Sequence, residues 1–166
     1  MKKYFVLIAL SIGATTQAQT PKTVMDFFMA LPEKYFAIEC CHHSKQEYIK
    51  MYLETNDTKN AYLKAGADGA QNAIEMTLFK KASGNFVAVV ATSGEEGMHT
   101  DFVEYNNGKW VDAASKLLPI KKDNYVYELP RKGTTIKVYN IKKEEWGIEK
   151  GKFVFNLHWN KEKFVQ

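Results

Sequence analysis

The sequence predicts an α+β fold in which two N-terminal helices pack on an antiparallel sheet built from two tandem four-stranded meanders. Three observations predict it. Apolar residues recur at helical spacing over residues 24–31. From Ala73 onward apolar and polar residues alternate instead, which is the period of a strand. A nine-residue pattern at 103–111 recurs at 157–165, and each copy closes one group of predicted strands. Chance or ordinary hairpin chemistry is the alternative explanation of this recurrence.

The first 18 residues contain the three parts of an export signal in order. Lys2 and Lys3 form a positive start, and residues 4–12 form an apolar core that is too short for a membrane helix. Small residues then precede a predicted cleavage after Ala18. The alternative is a buried N-terminal helix. Since no cysteine follows the apolar core, no lipid anchor is expected there. We therefore expect a signal peptide at 1–18 and a soluble periplasmic or secreted protein.

Residues 19–166 have the length of one domain with a single core. The formal charge of the whole chain is +4, and removal of the two lysines of the signal leaves +2. Arg131 is the one arginine of the chain, although arginine is the side chain that recognises phosphate in a bidentate manner. No basic stripe with interleaved aromatics occurs, so nucleic acid is not an expected partner. No segment after the signal reaches the roughly 20 apolar residues of a transmembrane helix. An envelope protein, a peptide or a glycan is the expected partner.

The helical part of the domain is expected over residues 22–56. The apolar stripe of 24–31 predicts the first helix, with Thr23 as a candidate cap. Ser44 begins a capping box, with the acidic residue of the pair three positions later, and this predicts the start of the second helix. Residues 55–57 are expected to end that helix. An irregular crossing follows, with one short strand near Tyr62 and Leu63.

The two meanders are expected over 73–119 and 124–166. In the first meander, the continuous apolar run at 86–91 predicts a buried strand. Asn107-Gly108 is the strongest turn signal of the chain and predicts a hairpin, and a helical turn follows at 113–118. In the second meander, the charged segment 142–151 is expected to be a loop between two strands.

Four segments resemble an exported Bacteroidota family of unknown function: VMDFFMALPEKYF (24–36), NAYLKAGADGA (60–70), DFVEYNNGKWVD (101–112) and LLP (117–119). The resemblance extends over residues 24–119 and concerns the spacing of a signal peptide, a helix pair and a strand-rich region. It implies an exported envelope protein and no known activity. The Cys-Cys-His-His stretch of this chain is not part of the family's pattern, and the resemblance assigns no functional residue.

The stretch with the most reactive side chains contains both cysteines and two of the four histidines: Cys40, Cys41, His42 and His43. Four consecutive residues do not converge on one metal ion, because alternate side chains of an extended chain face opposite ways. A metal site would therefore need His99 or His158 from the sheet. A strained disulfide between neighbours, an intermolecular disulfide and a thiolate nucleophile are further interpretations. A plain loop that leads into the helix cap is favoured, and no metal or cofactor is expected.

No phosphate loop, nucleophile elbow or zinc-protease motif occurs in the sequence. A non-enzymatic binding or interaction domain of the cell envelope is therefore the predicted function. The alternative is a hydrolase or metal-dependent enzyme that uses Cys40–His43 with a sheet histidine. The candidate binding residues are hairpin aromatics and one histidine: Tyr105, Trp110, His158 and Trp159. Core packing is the other interpretation of the aromatics. Three carboxylates near one hairpin are a further candidate group: Asp101, Glu104 and Asp112.

Overall fold

The computed structural model describes residues 21–35, 44–66, 73–94, 97–106, 108–144 and 147–166. Strands account for 54% and helices for 22% of these residues. The predicted signal peptide and the Cys40–His43 stretch lie outside the described residues.

The described chain contains three α-helices, α1 (Val24–Ala30), α2 (Lys45–Tyr52) and α3 (Ala114–Leu117). Short 3-10 turns occupy Glu33–Tyr35, Thr58–Asn60 and Lys122–Asn124. The first six strands are β1 (Leu53–Asp57), β2 (Tyr62–Ala65), β3 (Ala73–Lys80), β4 (Phe86–Gly94), β5 (Gly97–Asn106) and β6 (Lys109–Asp112). The last four are β7 (Tyr125–Glu128), β8 (Thr135–Glu144), β9 (Gly147–Trp159) and β10 (Phe164–Val165).

The strands form two separate antiparallel sheets. One has six strands in the order β1-β2-β3-β4-β5-β6, and the other has four in the order β10-β9-β8-β7. The predicted fold class is therefore wrong, because the described chain is mostly antiparallel sheet, in sheets of six and four strands, with three helices. The six-stranded sheet contains two strands, β1 and β2, that come before the predicted first meander at 73–119. β1 was predicted as the end of a helix because its side chains are mostly exposed at a sheet edge and show no apolar alternation.

Capping boxes begin both longer helices. The Thr23 side chain accepts a hydrogen bond from the Asp26 backbone, and the Asp26 carboxylate accepts one from the Thr23 backbone at 2.9 Å. Ser44 and Glu47 repeat this arrangement at α2, with 2.8 Å from the Ser44 amide to Glu47 Oε2. Both predicted caps are confirmed. The boxes satisfy amide groups that would otherwise lack a partner in the first turn.

The central strands of the six-stranded sheet are covered on both faces. One face packs against α1 and α2 in the helix-side core, which includes Phe27, Phe28, Tyr48, Leu63, Met76 and Val90. The other face packs against the four-stranded sheet and α3 in the inter-sheet core, which includes Phe79, Val87, Val89, Phe102, Trp159 and Phe164. Successive residues of a strand point to opposite faces, so two covered faces require a continuous apolar strand. This explains the apolar run at 86–91, the centre of β4.

The predicted loop at 142–151 is wrong, because β8 continues to Glu144 and β9 begins at Gly147. Four of its charged side chains lie exposed on this long hairpin and give no apolar alternation: Lys142, Lys143, Glu149 and Lys150. The tip of this hairpin touches the tip of the β4–β5 hairpin. Gly97 has φ +100°, and a Cβ atom on it would lie 2.7 Å from the Ile148 backbone nitrogen. The two sheets therefore approach each other at the hairpin tips as well as in the inter-sheet core.

Candidate ligand-binding cleft

The space between the two sheets is filled at one end and open at the other. At the closed end, four aromatic rings pack edge to face or tilted. The Phe164 ring centroid lies 4.9 Å from that of Trp159, 5.0 Å from that of Phe79 and 5.7 Å from that of Phe102. Contacts of this kind stabilise beyond the area that they bury. The closed end therefore holds the sheets together.

At the open end a cleft of about 280 Å³ separates the sheets. Its apolar surface comes from Ala73, Ala91, Met98 and Tyr127. Its charged side chains are Lys64, Glu75, Glu128 and Lys150. Small-molecule sites in proteins usually measure about 300–1,000 Å³ and combine apolar walls with a few polar groups. The cleft has this composition at the small end of the range, so it suits a small ligand or one side chain of a larger one.

Strand register places the charged wall of the cleft. Lys64 pairs with Glu75 across β2 and β3, and Glu75 pairs with Ala91 across β3 and β4. Residues directly opposite in a sheet share a face. On β3, Glu75 and Phe79 are four residues apart and also share this face. One strand therefore carries a carboxyl to the open end and an aromatic ring to the closed end.

Glu75 is the carboxyl of the cleft that has unused hydrogen-bonding capacity. Among the described residues it has one hydrogen-bond partner, the Tyr62 hydroxyl, and no ion pair. Burial raises the pKa of Glu75 above its usual value, while Lys64 and the Tyr62 hydroxyl act in the opposite direction. The Lys64 ammonium instead contacts Glu54 Oε2 at 2.8 Å. An ionised carboxylate accepts about four hydrogen bonds, so Glu75 has acceptor sites left for a ligand.

Glu128, on the opposite wall, is fully engaged. Its Oε1 accepts from Lys137 Nζ at 2.8 Å, and its Oε2 accepts from Lys150 Nζ at 2.8 Å and from the Tyr139 hydroxyl at 3.0 Å. The hydrogen bonds from Lys137 and Lys150, in that order of effect, lower the pKa of Glu128 to about 2. Glu128 is therefore an ionised group that orients Lys150 at the rim of the cleft.

A second, smaller cleft of about 120 Å³ adjoins the first and shares Met98 and Tyr127 with it. His99 and Lys122 line it, and both contact the buried carboxylate of Asp101. His99 Nε2 lies 3.1 Å from Asp101 Oδ2, and Lys122 Nζ lies 3.1 Å from Asp101 Oδ1. Both oxygens of Asp101 therefore have a partner, and its contact with Lys122 links β5 to the turn that precedes β7.

The four predicted binding residues do not form one site, although the ring centroids of Tyr105 and Trp110 lie 5.0 Å apart. Tyr105 and Trp110 pack against the helix-side core, where Trp110 Nε1 donates to the Ala30 carbonyl at 2.9 Å. Trp159 lies in the inter-sheet core and its Nε1 donates to the Lys80 carbonyl at 3.0 Å. His158 is exposed, with Nδ1 3.0 Å from Thr135 Oγ1. None of the four predicted residues lines either cleft.

The other candidate groups also have separate partners. Glu104 pairs with Lys81 at 2.8 Å, and the Asp112 carboxylate accepts from the Ala114 amide at 3.0 Å. Within the residues that the structure describes, no group of three or more histidine, cysteine, aspartate or glutamate side chains is placed to hold a metal ion. The candidate ligands Cys40, Cys41, His42 and His43 lie outside those residues.

The sequence did not indicate Glu75, because the alternation along its strand predicts one buried face and one solvent-exposed face, with Glu75 on the exposed face. Ile74 and Met76 flank it and face the helix-side core, which leaves Glu75 on the face expected to meet solvent. The signal that could have found it is the apolar residue Phe79 on that same face. Together with the continuous apolar run of the next strand, Phe79 indicates a second packed layer over this face.

Comparisons with protein-family models, with curated proteins and with solved structures find no match for this chain. Over the part of the chain that the structure describes, no helix has both the length and the apolar character needed to cross a membrane.

Proposed function

We propose that the protein is an exported, non-enzymatic binding module of the cell envelope, and that its ligand site is the cleft between the two sheets. The observation that carries this proposal is the cleft of about 280 Å³ that joins an apolar surface to a carboxyl group with unused acceptor sites, Glu75. The predicted signal peptide at 1–18 and the resemblance to an exported Bacteroidota family support export. An envelope protein, a peptide or a glycan remains the expected partner.

The chemistry of the cleft favours binding over catalysis. A pair of carboxyls can act as acid and base when one keeps a proton near the working pH and the other, ionised, is free to reach the substrate. Glu128 does not suit the second role, because Lys137, Lys150 and the Tyr139 hydroxyl already donate to its two oxygens. Glu75 is thus the single carboxyl of the cleft that is available to a ligand, and hydrogen bonding is the role that its position supports.

Cleft binding is tested by filling the cleft. Ala91 lies on its wall, so Ala91→Phe should occupy the space that a ligand needs. Val111 lies on the exposed edge strand β6 of the same sheet, so Val111→Phe is the matched control. We expect amide chemical shifts of Ser93, Tyr127 and Glu128 to respond to at least one of two probes, N-acetylglucosamine or the dipeptide Ala-Lys. The response should disappear in Ala91→Phe and persist in Val111→Phe.

Two outcomes of this titration would overturn the proposal. One is that neither probe shifts the amides of the cleft in the wild-type protein. The other is that Ala91→Phe retains the wild-type response while its spectrum shows a folded protein.

A further inference from the structure

We propose that the cleft recognises a primary ammonium group on a short carbon chain, such as a small alkylamine or a lysine side chain, and that Glu75 is the residue that receives the ammonium. This inference rests on the proposed binding function and names the class of ligand. It is drawn from the charge pairing inside the cleft, the distribution of apolar surface and the size of the space.

The charge pairing leaves one position for a cation. Lys64 is paired with Glu54 at 2.8 Å, and Lys150 is paired with Glu128 at 2.8 Å. Glu75 is the charged side chain of the cleft that has no ion pair with a described residue. A half-buried carboxylate without a counterion is less favourable than a solvated one, and a hydrogen-bonded cation relieves that cost. A ligand ammonium would complete the pairing.

The same pairing disfavours an anionic ligand. An anion would have to share Lys64 with Glu54 or Lys150 with Glu128, because each ammonium already donates to a carboxylate. Glu128 also accepts from Lys137 and from the Tyr139 hydroxyl, so it stays ionised and attracts Lys150. An anion would in addition approach Glu75, whose like charge would repel it. A cation is attracted by Glu75 and displaces no ion pair, and the pairing of Lys64 with Glu54 reduces the repulsion from the Lys64 ammonium, which also acts on Glu75.

The apolar surface of the cleft indicates which kind of chain carries the ammonium group. Ala73 and Ala91 flank Glu75 on the six-stranded sheet, and Tyr127 lines the cleft from the other sheet. Small side chains on one wall and a ring on the other leave a slot that contacts methylene groups. A volume of about 280 Å³ suits a chain of about four carbons better than a large ring system.

The test compares probes of one size and different charge. We expect n-butylamine to bind at the cleft at least about tenfold more tightly than 1-butanol, which keeps the carbon chain but has no positive charge. Acetyl-Gly-Lys-Gly-amide presents the same ammonium on a peptide. Binding of both amines would place the recognition in the ammonium. Binding of the peptide alone would identify a lysine side chain as the source, and binding of n-butylamine alone a free amine.

Two variants separate Glu75 from general electrostatics. Glu75→Gln should weaken binding of n-butylamine by about tenfold or more. Glu149→Gln removes the same charge from an exposed side chain of β9 outside the cleft and should change binding by less than about twofold. Equal binding by wild-type protein and Glu75→Gln would overturn the inference. If N-acetylglucosamine shifts the cleft amides and neither amine does, the ammonium inference fails and the binding function stands. If no probe shifts them, both fail.

Discussion

Glu104 and Glu75 lie on the same face of the six-stranded sheet, at opposite ends of the space between the sheets. Glu104, at the closed end, is buried and contacts Lys81 Nζ at 2.8 Å and Lys116 Nζ at 3.4 Å. The hydrogen bond from Lys81 is the largest cause that lowers the pKa of Glu104. Glu75, at the open end, has the Tyr62 hydroxyl as its partner, and burial raises its pKa.

The difference separates a carboxylate that serves the fold from one that is available to a ligand. At the closed end the sheets are in contact, so a charge there is tolerated because lysines neutralise it. At the open end a cleft separates the sheets except where Gly97 meets Ile148, and the Glu75 carboxyl keeps acceptor sites that no described residue fills. Features that work against stability are expected at functional sites rather than in the packed core. Three predictions test this contrast.

The largest effect is expected at the aromatic cluster of the closed end. Phe164→Ala removes a fully buried ring that contacts Phe79, Phe102 and Trp159, and it should lower the free energy of unfolding by about 3–5 kcal/mol. Met98→Ala truncates a half-buried side chain at the open end and should cost about 1 kcal/mol or less. Urea unfolding followed by tryptophan fluorescence measures both. Equal losses in the two variants would show that the two ends are packed alike.

The second-largest effect is expected when Glu104 and Glu75 are each replaced by glutamine, which has nearly the same shape and no charge. Glu104→Gln leaves the buried ammonium of Lys81 without its counterion and should lower the free energy of unfolding by about 3 kcal/mol. Glu75→Gln removes a half-buried carboxyl that has no ion pair and should change it by less than about 1 kcal/mol. Urea unfolding at pH 7 gives both values. A loss in Glu75→Gln as large as that in Glu104→Gln would mean that Glu75 is a structural residue.

Local signals in the sequence predicted the parts of the fold that depend on neighbouring residues. The boxes at Thr23 and Ser44 were predictable because a cap needs only four consecutive positions. The strand at 53–57 was not predictable, because its stability comes from pairing with β2 and not from its own apolar pattern. Likewise, the division into two sheets depends on which apolar face meets which, and alternation along a single strand does not contain that information.

The candidate site was less predictable than the fold. The aromatics Trp110 and Trp159 stood out by residue type, and the structure uses both in core packing, each with its indole N–H bonded to a carbonyl. Glu75 did not stand out, because glutamate on the polar face of a strand is common. The partial burial and raised pKa of Glu75 come from the second sheet, which lies far away in the sequence and covers this face.

The smallest effect is a difference in pH dependence, with opposite signs for the two carboxyls. The usual glutamate pKa is about 4.5. Glu75 keeps its proton in the folded chain at a pH where the unfolded chain has released it. The stability of the wild-type protein should therefore fall relative to Glu75→Gln as the pH rises above about 4.5, and level off above the folded pKa. The pH dependence of stability due to Glu104 has the opposite sign, because the pKa of Glu104 is lowered in the folded chain.

For Glu104 the stabilisation is present above about pH 4.5 and is lost as the pH falls toward its folded pKa. Acidification should therefore reduce the amount by which the free energy of unfolding of the wild-type protein exceeds that of Glu104→Gln. It should also reduce the amount by which the free energy of unfolding of the wild-type protein falls below that of Glu75→Gln. Urea unfolding of the three proteins from pH 3 to pH 8 measures both differences against a shared background of other carboxyls. Wild-type protein and Glu75→Gln with parallel curves throughout would show that the Glu75 carboxyl is solvated, and the contrast between the two ends would then lose its electrostatic basis.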